Sequence, residues 1–386
     1  MSTEITAKPR YEILDGLRGV AAMTVVAFHL FETYATSHFD QIVNHGYLAV
    51  DFFFVLSGFV IGYAYDDRWA KGLTTWQFFK RRLIRLHPMV IVGTLFGAAL
   101  FYFTDSHPAF TMISGVSVGK LLAVTLVCCL MLPCGKALDI RGWDESSPLD
   151  GPAWTLQYEY LANILYATIL RRLKTAALAV LVLLTAALTV CLCLNLDFTG
   201  LLAGRTDLAY TVIGGWSLDP REILIGFTRL LYPFLAGLLL SRLKWIIPVR
   251  RGGFLLCSGL ILALLAMPCL GTSERPWTNG LYEAAAILVA FPLIVSLGAG
   301  SVSPSGRLGR LCAFSGAISF PLYITHYPLV YLQMDWSARH PNATMAQNVF
   351  VGVALYLVAL AFAWAALRLY DIPVRKWLSA RRRKGS

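Results

Sequence analysis

The sequence predicts an all-α protein, a polytopic integral membrane helical bundle with about ten transmembrane helices and one short re-entrant or interfacial segment. Three observations carry that prediction. Hydrophobic residues make up 57% of the 386 positions and charged ones only 14%, giving a mean hydropathy of +0.62. Apolar runs long enough to cross a bilayer recur along the whole chain instead of clustering. The basic residues behind the formal net charge of +11 sit in short tracts beside those runs, where the positive-inside bias places them, so a nucleic-acid partner is not expected. Little sequence is left over for a soluble catalytic domain. The chain divides into an N-terminal segment (1–12), one transmembrane domain (13–370) and a basic tail (371–386), of which the final ARRRKGS is expected to be solvated.

In chain order, apolar windows place helices at 13–32, 46–65, 88–104, 153–171, 174–194, 222–240, 253–271, 280–300, 309–332 and 346–369. The first contains Arg18 and lacks a small-residue cleavage site, so it is expected to remain as a span and not act as a signal peptide. A further window at 121–133 is shorter than the ~20 residues a crossing needs. Charge supports leaving it as a non-crossing segment. With ten crossings, the basic tracts at 8–10, 68–85, 171–174, 241–251, 306–310 and 374–384 all face the cytoplasm, as do both termini, and the loop 134–151 lies outside. The eight cysteines show no CxxC or Cys/His ligand spacing, so free thiols and no metal site are expected.

Several ionisable residues interrupt these windows, and such groups normally face a bundle interior or wet cavity. Arg18 and His29 are eleven residues apart in the first window, almost three turns and ~16 Å, so they share a face with Arg18 near the inner leaflet and His29 near the outer one. Asp51 enters with the second window at the depth of His29. Arg82 and Arg85, spaced i,i+3, project together at the cytoplasmic end; they serve either as positive-inside anchors or, with Arg18, as forks for a phosphorylated ligand. Trp154 suits the outer interface. Glu159 enters from the outer side, as a strut between helices or as a partner for His29 and Asp51. His326 reaches the depth of His29, where packing and chemistry are both open. His38, His45, His87, His107 and His340 fall in loops or at span edges and receive no role.

Two layers follow: a basic inner one (Arg18, Arg82, Arg85) and an outer one of His29, Asp51 and Glu159, with His326 and Trp154 on its outer side. A histidine held by a carboxylate can deprotonate a hydroxyl, and a long donor with a phosphorylated head could lie against the arginines. The competing reading is a proton-coupled transporter using the same charges; transport would move a solute without consuming a donor.

The segments LDGLRGVAAMTVVAFH, AVDFFFVLSGFV, RRLIRLHP, WTLQYEYLANILY and SFPLYITHYP, running in order from about residue 11 to 330, together resemble the membrane acyltransferase-3 family. Arg18 and His29 match its Arg, ten residues, His pattern; Arg82 and Arg85 its RxxR; Glu159 the glutamate of its WSLxxE-like segment. Thr155 replaces the usual serine there, and Pro321 a commoner polar residue. The resemblance implies an O-acyltransferase of the bacterial inner membrane with no tightly bound cofactor. It would use cytoplasmic acyl-CoA, acetyl-CoA in particular, to acylate cell-envelope polysaccharide, a lipid-linked sugar or another hydroxylated acceptor. His29, Asp51 and Glu159 would then be catalytic and Arg18, Arg82 and Arg85 would bind the donor. Some relatives carry a C-terminal SGNH domain; none is expected in this chain, so any envelope helper would be a separate protein.

Overall fold

The computed structural model describes residue 8 and residues 10–37, 40–104 and 108–384, without the side chains of 382–384. His38 and His107, residues 1–7 and 9 of the N-terminal segment and the last two residues of the tail lie outside that set. The helices are α1 (Glu12–Glu32), α2 (Ala49–Trp69), α3 (Thr75–Phe103), α4 (Val118–Cys129), α5 (Trp154–Thr168), α6 (Thr175–Cys193) and α7 (Pro220–Leu243), then α8 (Gly253–Ala266), α9 (Trp277–Ala285), α10 (Phe291–Ala299), α11 (Gly306–Thr325), α12 (Tyr327–Arg339), α13 (Met345–Ala366) and α14 (Ile372–Lys384). Among the described residues there is no sheet, only an isolated bridge between Val249 and Ser301. Among the described residues, eight helical stretches are long and apolar enough to cross a membrane, counting α9–α10 and α13–α14 as one each. Every one of the ten predicted windows holds helix, with α5 and α8 as the shorter members. α4, at 12 residues, is only ~18 Å long, which fits the short segment expected at 121–133. All eight cysteines are unbridged.

Local sequence explains where the helices begin and where they depart from the windows. Thr74 and Thr344 each form a capping box with a glutamine three residues on, Gln77 and Gln347, which fixes the starts of α3 and α13. α3 therefore begins well before residue 88 and runs through Pro88, so Arg82 and Arg85 sit on a membrane-length helix and not in a loop before it. α8 stops at Ala266 because Met267, preceding Pro268, takes an extended backbone; buried His45 donates from Nδ1 to the Met267 carbonyl at 2.7 Å. Between α9 and α10 the chain forms a π-helical turn, Ala286–Ala290. Pro292 cannot donate to the Leu288 carbonyl, and the Tyr232 hydroxyl donates to it instead at 2.7 Å.

The window at 309–332 is not one helix. α11 ends at Thr325, His326 forms the junction, and α12 starts with Pro328 in its first turn. The proline supplies no N–H, so the Ile324 carbonyl loses its helical donor. After residue 366 the chain continues through a π-helical turn, Leu367–Asp371, into α14, so the basic tail begins as helix.

Two helix pairs organise the bundle, α1 with α11 and α2 with α7. Glycines permit both approaches. Gly19 lies against the Ser315 backbone, while Gly58 faces the Phe234 carbonyl and Gly237 the Val55 carbonyl, so that a Cβ at any of the three would collide with backbone. Close backbone contact of this kind replaces the hydrophobic drive that lipid removes.

Candidate active site

The three predicted arginines share a cavity of about 1390 Å³. α1 contributes Arg18, whose Nε donates to Ser319 Oγ at 2.8 Å and whose guanidinium lies 3.4 Å from Asp15, one turn earlier on the same helix. α3 contributes Arg82 and Arg85, brought to one side by their i,i+3 spacing. Arg82 is engaged: its Nη2 lies 2.5 Å from Glu159 Oε1, which also accepts from the Ser57 hydroxyl at 3.3 Å. Arg85 has no ion pair within 4.0 Å among the described residues, and its guanidinium is open to an anion entering the cavity.

Of the predicted outer layer, His29 and His326 come together and the two carboxylates do not. The rings of His29 and His326 stack with centroids 5.5 Å apart, and Tyr327 meets His29 edge-on at 4.8 Å. Asp51 is instead sealed against Arg229 of α7, 2.7 Å from its Nη2, and Arg229 donates further to the carbonyls of Tyr47 and Gly214. Glu159 belongs to the arginine cavity. Buried arginines at 229 and 82 each need a counter-charge, and the nearest carboxylates satisfy that need. Trp154 packs 5.5 Å from the Arg229 guanidinium, beside the Asp51 pair and not beside the histidines.

The carboxylate that holds His29 is Glu32, which the sequence reading missed: its Oε2 lies 2.9 Å from His29 Nδ1. The i,i+3 spacing on α1 was the available signal. Arg229, the one charge inside the apolar window 222–240 beyond Glu222 at its edge, was the other omission. It required a buried partner and thereby predicted the fate of Asp51.

Hydrogen-bond partners fix how both rings are used. Carboxylates and carbonyls only accept, so His29 Nδ1 carries the proton shared with Glu32 and leaves Nε2 as the free lone pair. His326 points Nδ1 at the carbonyls of Leu322 and Tyr323, 3.2 and 2.9 Å away, closing the end of α11. Its buried Nε2 has no hydrogen-bond partner among the described residues. The site thus holds two bare imidazole nitrogens, one of them backed by a carboxylate.

Ser319, Tyr323 and His326 follow one another on a single face of α11 at i, i+4 and i+7. Tyr323 lines the cavity; its hydroxyl is 2.9 Å from that of Thr155, and its ring centre is 6.0 Å from His326. One tyrosine therefore stands between the arginine cavity and the histidine pair. Beyond the histidines, the buried Glu145 of the α4–α5 loop accepts from the Tyr331 hydroxyl at 2.9 Å. Loss of hydration raises its carboxyl from 4.5 to about 7.

Comparison with known proteins bears on this arrangement. A family model described as an acyltransferase domain, Acyl_transf_3, matches residues 11–368. A Rhizobium radiobacter protein named "Protein 2 in picA locus" is 33% identical over 189 residues, covering 46% of this chain and 95% of its own. The "Peptidoglycan O-acetyltransferase OatA" of Listeria monocytogenes is 24% identical over 380 residues, covering 94% of this chain and 55% of its own length. This chain thus spans about half of the Listeria protein. No solved structure matches. With the family match running through both histidines and Arg18, Arg82 and Arg85, the chain belongs to the acyltransferase-3 family of integral membrane acyltransferases.

Proposed function

We propose that this protein is an O-acetyltransferase of the bacterial inner membrane that takes an acetyl group from cytoplasmic acetyl-CoA to a hydroxyl of an envelope carbohydrate. The observation that carries this reading is the continuous series from arginine cavity to Tyr323 to the stacked histidines. Arg18, Arg82 and Arg85 hold the donor's phosphates, with Glu159 positioning Arg82. The thioester arm points toward Tyr323. On the far side His29 acts as general base: Nε2 takes the acceptor's hydroxyl proton, the oxygen attacks the thioester carbonyl, the C–S bond breaks, and the imidazolium returns its proton to the departing thiolate. Glu32 orients the ring and stabilises its charged form; His326 offers its free nitrogen to the acceptor. Asp51 supports the site through the α2–α7 contact, and Trp154 packs beside that support. The name of the Listeria relative makes peptidoglycan sugars the first acceptors to test.

Purified protein in liposomes, supplied with acetyl-CoA and acceptor glycan, should release free thiol only when acceptor is present. His29→Ala should lower that rate by about 10²–10⁴-fold, and Glu32→Gln by less. Wild-type turnover in His29→Ala would remove the assigned base.

A further inference from the structure

The family match ends at residue 368, yet the cavity wall does not. Asp371, Ile372, Arg375, Lys376 and Ser379 all line it. Their spacing, i, i+1, i+4, i+5 and i+8, defines one face of α14. The π-helical turn at Leu367–Asp371 adds a residue per turn just before Pro373 and so sets that face. Asp371, 2% exposed, anchors it, lying 2.7 Å from Arg375 Nη2 and within electrostatic range of Arg85. Neither Arg375 Nε nor Asp371 Oδ1 has a hydrogen-bond partner although both are buried. Arg375 stands one helical turn beyond Asp371 on the cavity wall, with its side chain 36% exposed. Lys376 stands next to it, and Arg310 of α11 lines the same cavity.

A coenzyme A thioester has its reactive carbon at one end and a 3′-phosphoadenosine at the other, with the pyrophosphate between. If the thioester lies toward Tyr323 and the pyrophosphate at Arg82 and Arg85, the terminal phosphate must lie further out. From Asp371 to Ser379 the cavity-lining face of α14 is ~12 Å long, room for a second phosphate on the same wall. We propose that α14 is the part of this chain that recognises the donor's 3′-phosphate, with Arg375 as its fork and Lys376 as a second charge. This rests on the acetyl-CoA reading above and assigns to α14 a specificity that reading does not require.

The test compares acetyl-CoA with acetyl-3′-dephospho-CoA in the liposome assay. Wild type should favour acetyl-CoA by about tenfold or more in kcat/KM, as loss of a charged hydrogen bond implies. The double variant Arg375→Ala, Lys376→Ala should bring that ratio close to one, through KM and not kcat; Arg375→Lys should restore part of it. Should the double variant fail to fold, Lys376→Ala alone serves, because Lys376 is exposed, and it should lower the ratio about threefold, a smaller share of the same interaction. No discrimination by wild type, or an equal loss with both donors, would overturn the proposal while leaving acetyl-CoA as donor. Thiol release from neither donor would instead defeat the acetyl-CoA reading, and this proposal with it.

Discussion

Asp51–Arg229 and Glu159–Arg82 are the same chemical pair in two settings. The first is sealed, its side chains 1% and 3% exposed, with two backbone carbonyls taking further arginine donors. The second lies on a cavity wall, with Glu159 21% and Arg82 8% exposed. A sealed pair with every guanidinium nitrogen engaged holds helices together. A pair on a cavity wall can exchange partners with an incoming anion, and the neighbouring Arg85 adds a guanidinium with no ion pair of its own. Identical residue types are therefore sealed away in one place and left facing an open cavity in the other, and solvent access separates the two.

The strongest way to break the comparison is to remove one member of the sealed pair. Asp51→Ala leaves Arg229 charged and buried, which should cost about 3–5 kcal/mol and appear as a large fall in thermal stability in detergent. If Asp51→Ala instead kept its stability and lost only activity, the sealed pair would not be scaffold. On the cavity side, Arg82→Ala should cost far less stability, because the Glu159 it leaves is 21% exposed, but should raise the KM for the proposed donor acetyl-CoA by about tenfold, the worth of one charged hydrogen bond. The reverse result, destabilisation at constant KM, would make the two pairs equivalent.

Glu145 sharpens the comparison as a buried carboxylate held by a hydroxyl with no ion pair within 4.0 Å among the described residues. Its folded value of about 7 lies above the ordinary 4.5, so the folded state binds the proton more tightly than the unfolded one. The stabilisation is complete below pH ~4.5 and is lost as the pH rises through 7. Melting temperature should thus fall by a few degrees between pH 5 and 8, the smallest of the three effects, and Glu145→Gln should flatten that slope.

Much of this was legible in the sequence. All ten windows became helix because apolar runs of that length have few alternatives in lipid, and the arginines met because i,i+3 spacing on a helix admits one geometry. Depth arithmetic brought His29 and His326 together correctly. The same arithmetic failed for Asp51 and Glu159, since depth says nothing about which neighbouring helix a side chain turns toward, and that choice was made by Arg229 and Arg82. Glu32 was overlooked in favour of distant carboxylates although it was closest along the chain. The break at His326 and the turn into α14 both depend on a single proline, Pro328 and Pro373, within otherwise continuous helical pattern.

The tyrosine between cavity and histidines carries an electrical consequence. A cavity that admits a charged ligand also admits water and counterions, which short-circuit the part of the bilayer they occupy. The voltage that would otherwise spread over the full hydrocarbon thickness is then concentrated beyond Tyr323, around the hydroxyl contact with Thr155. On the function proposed above, that contact would insulate the membrane as well as wall off the donor.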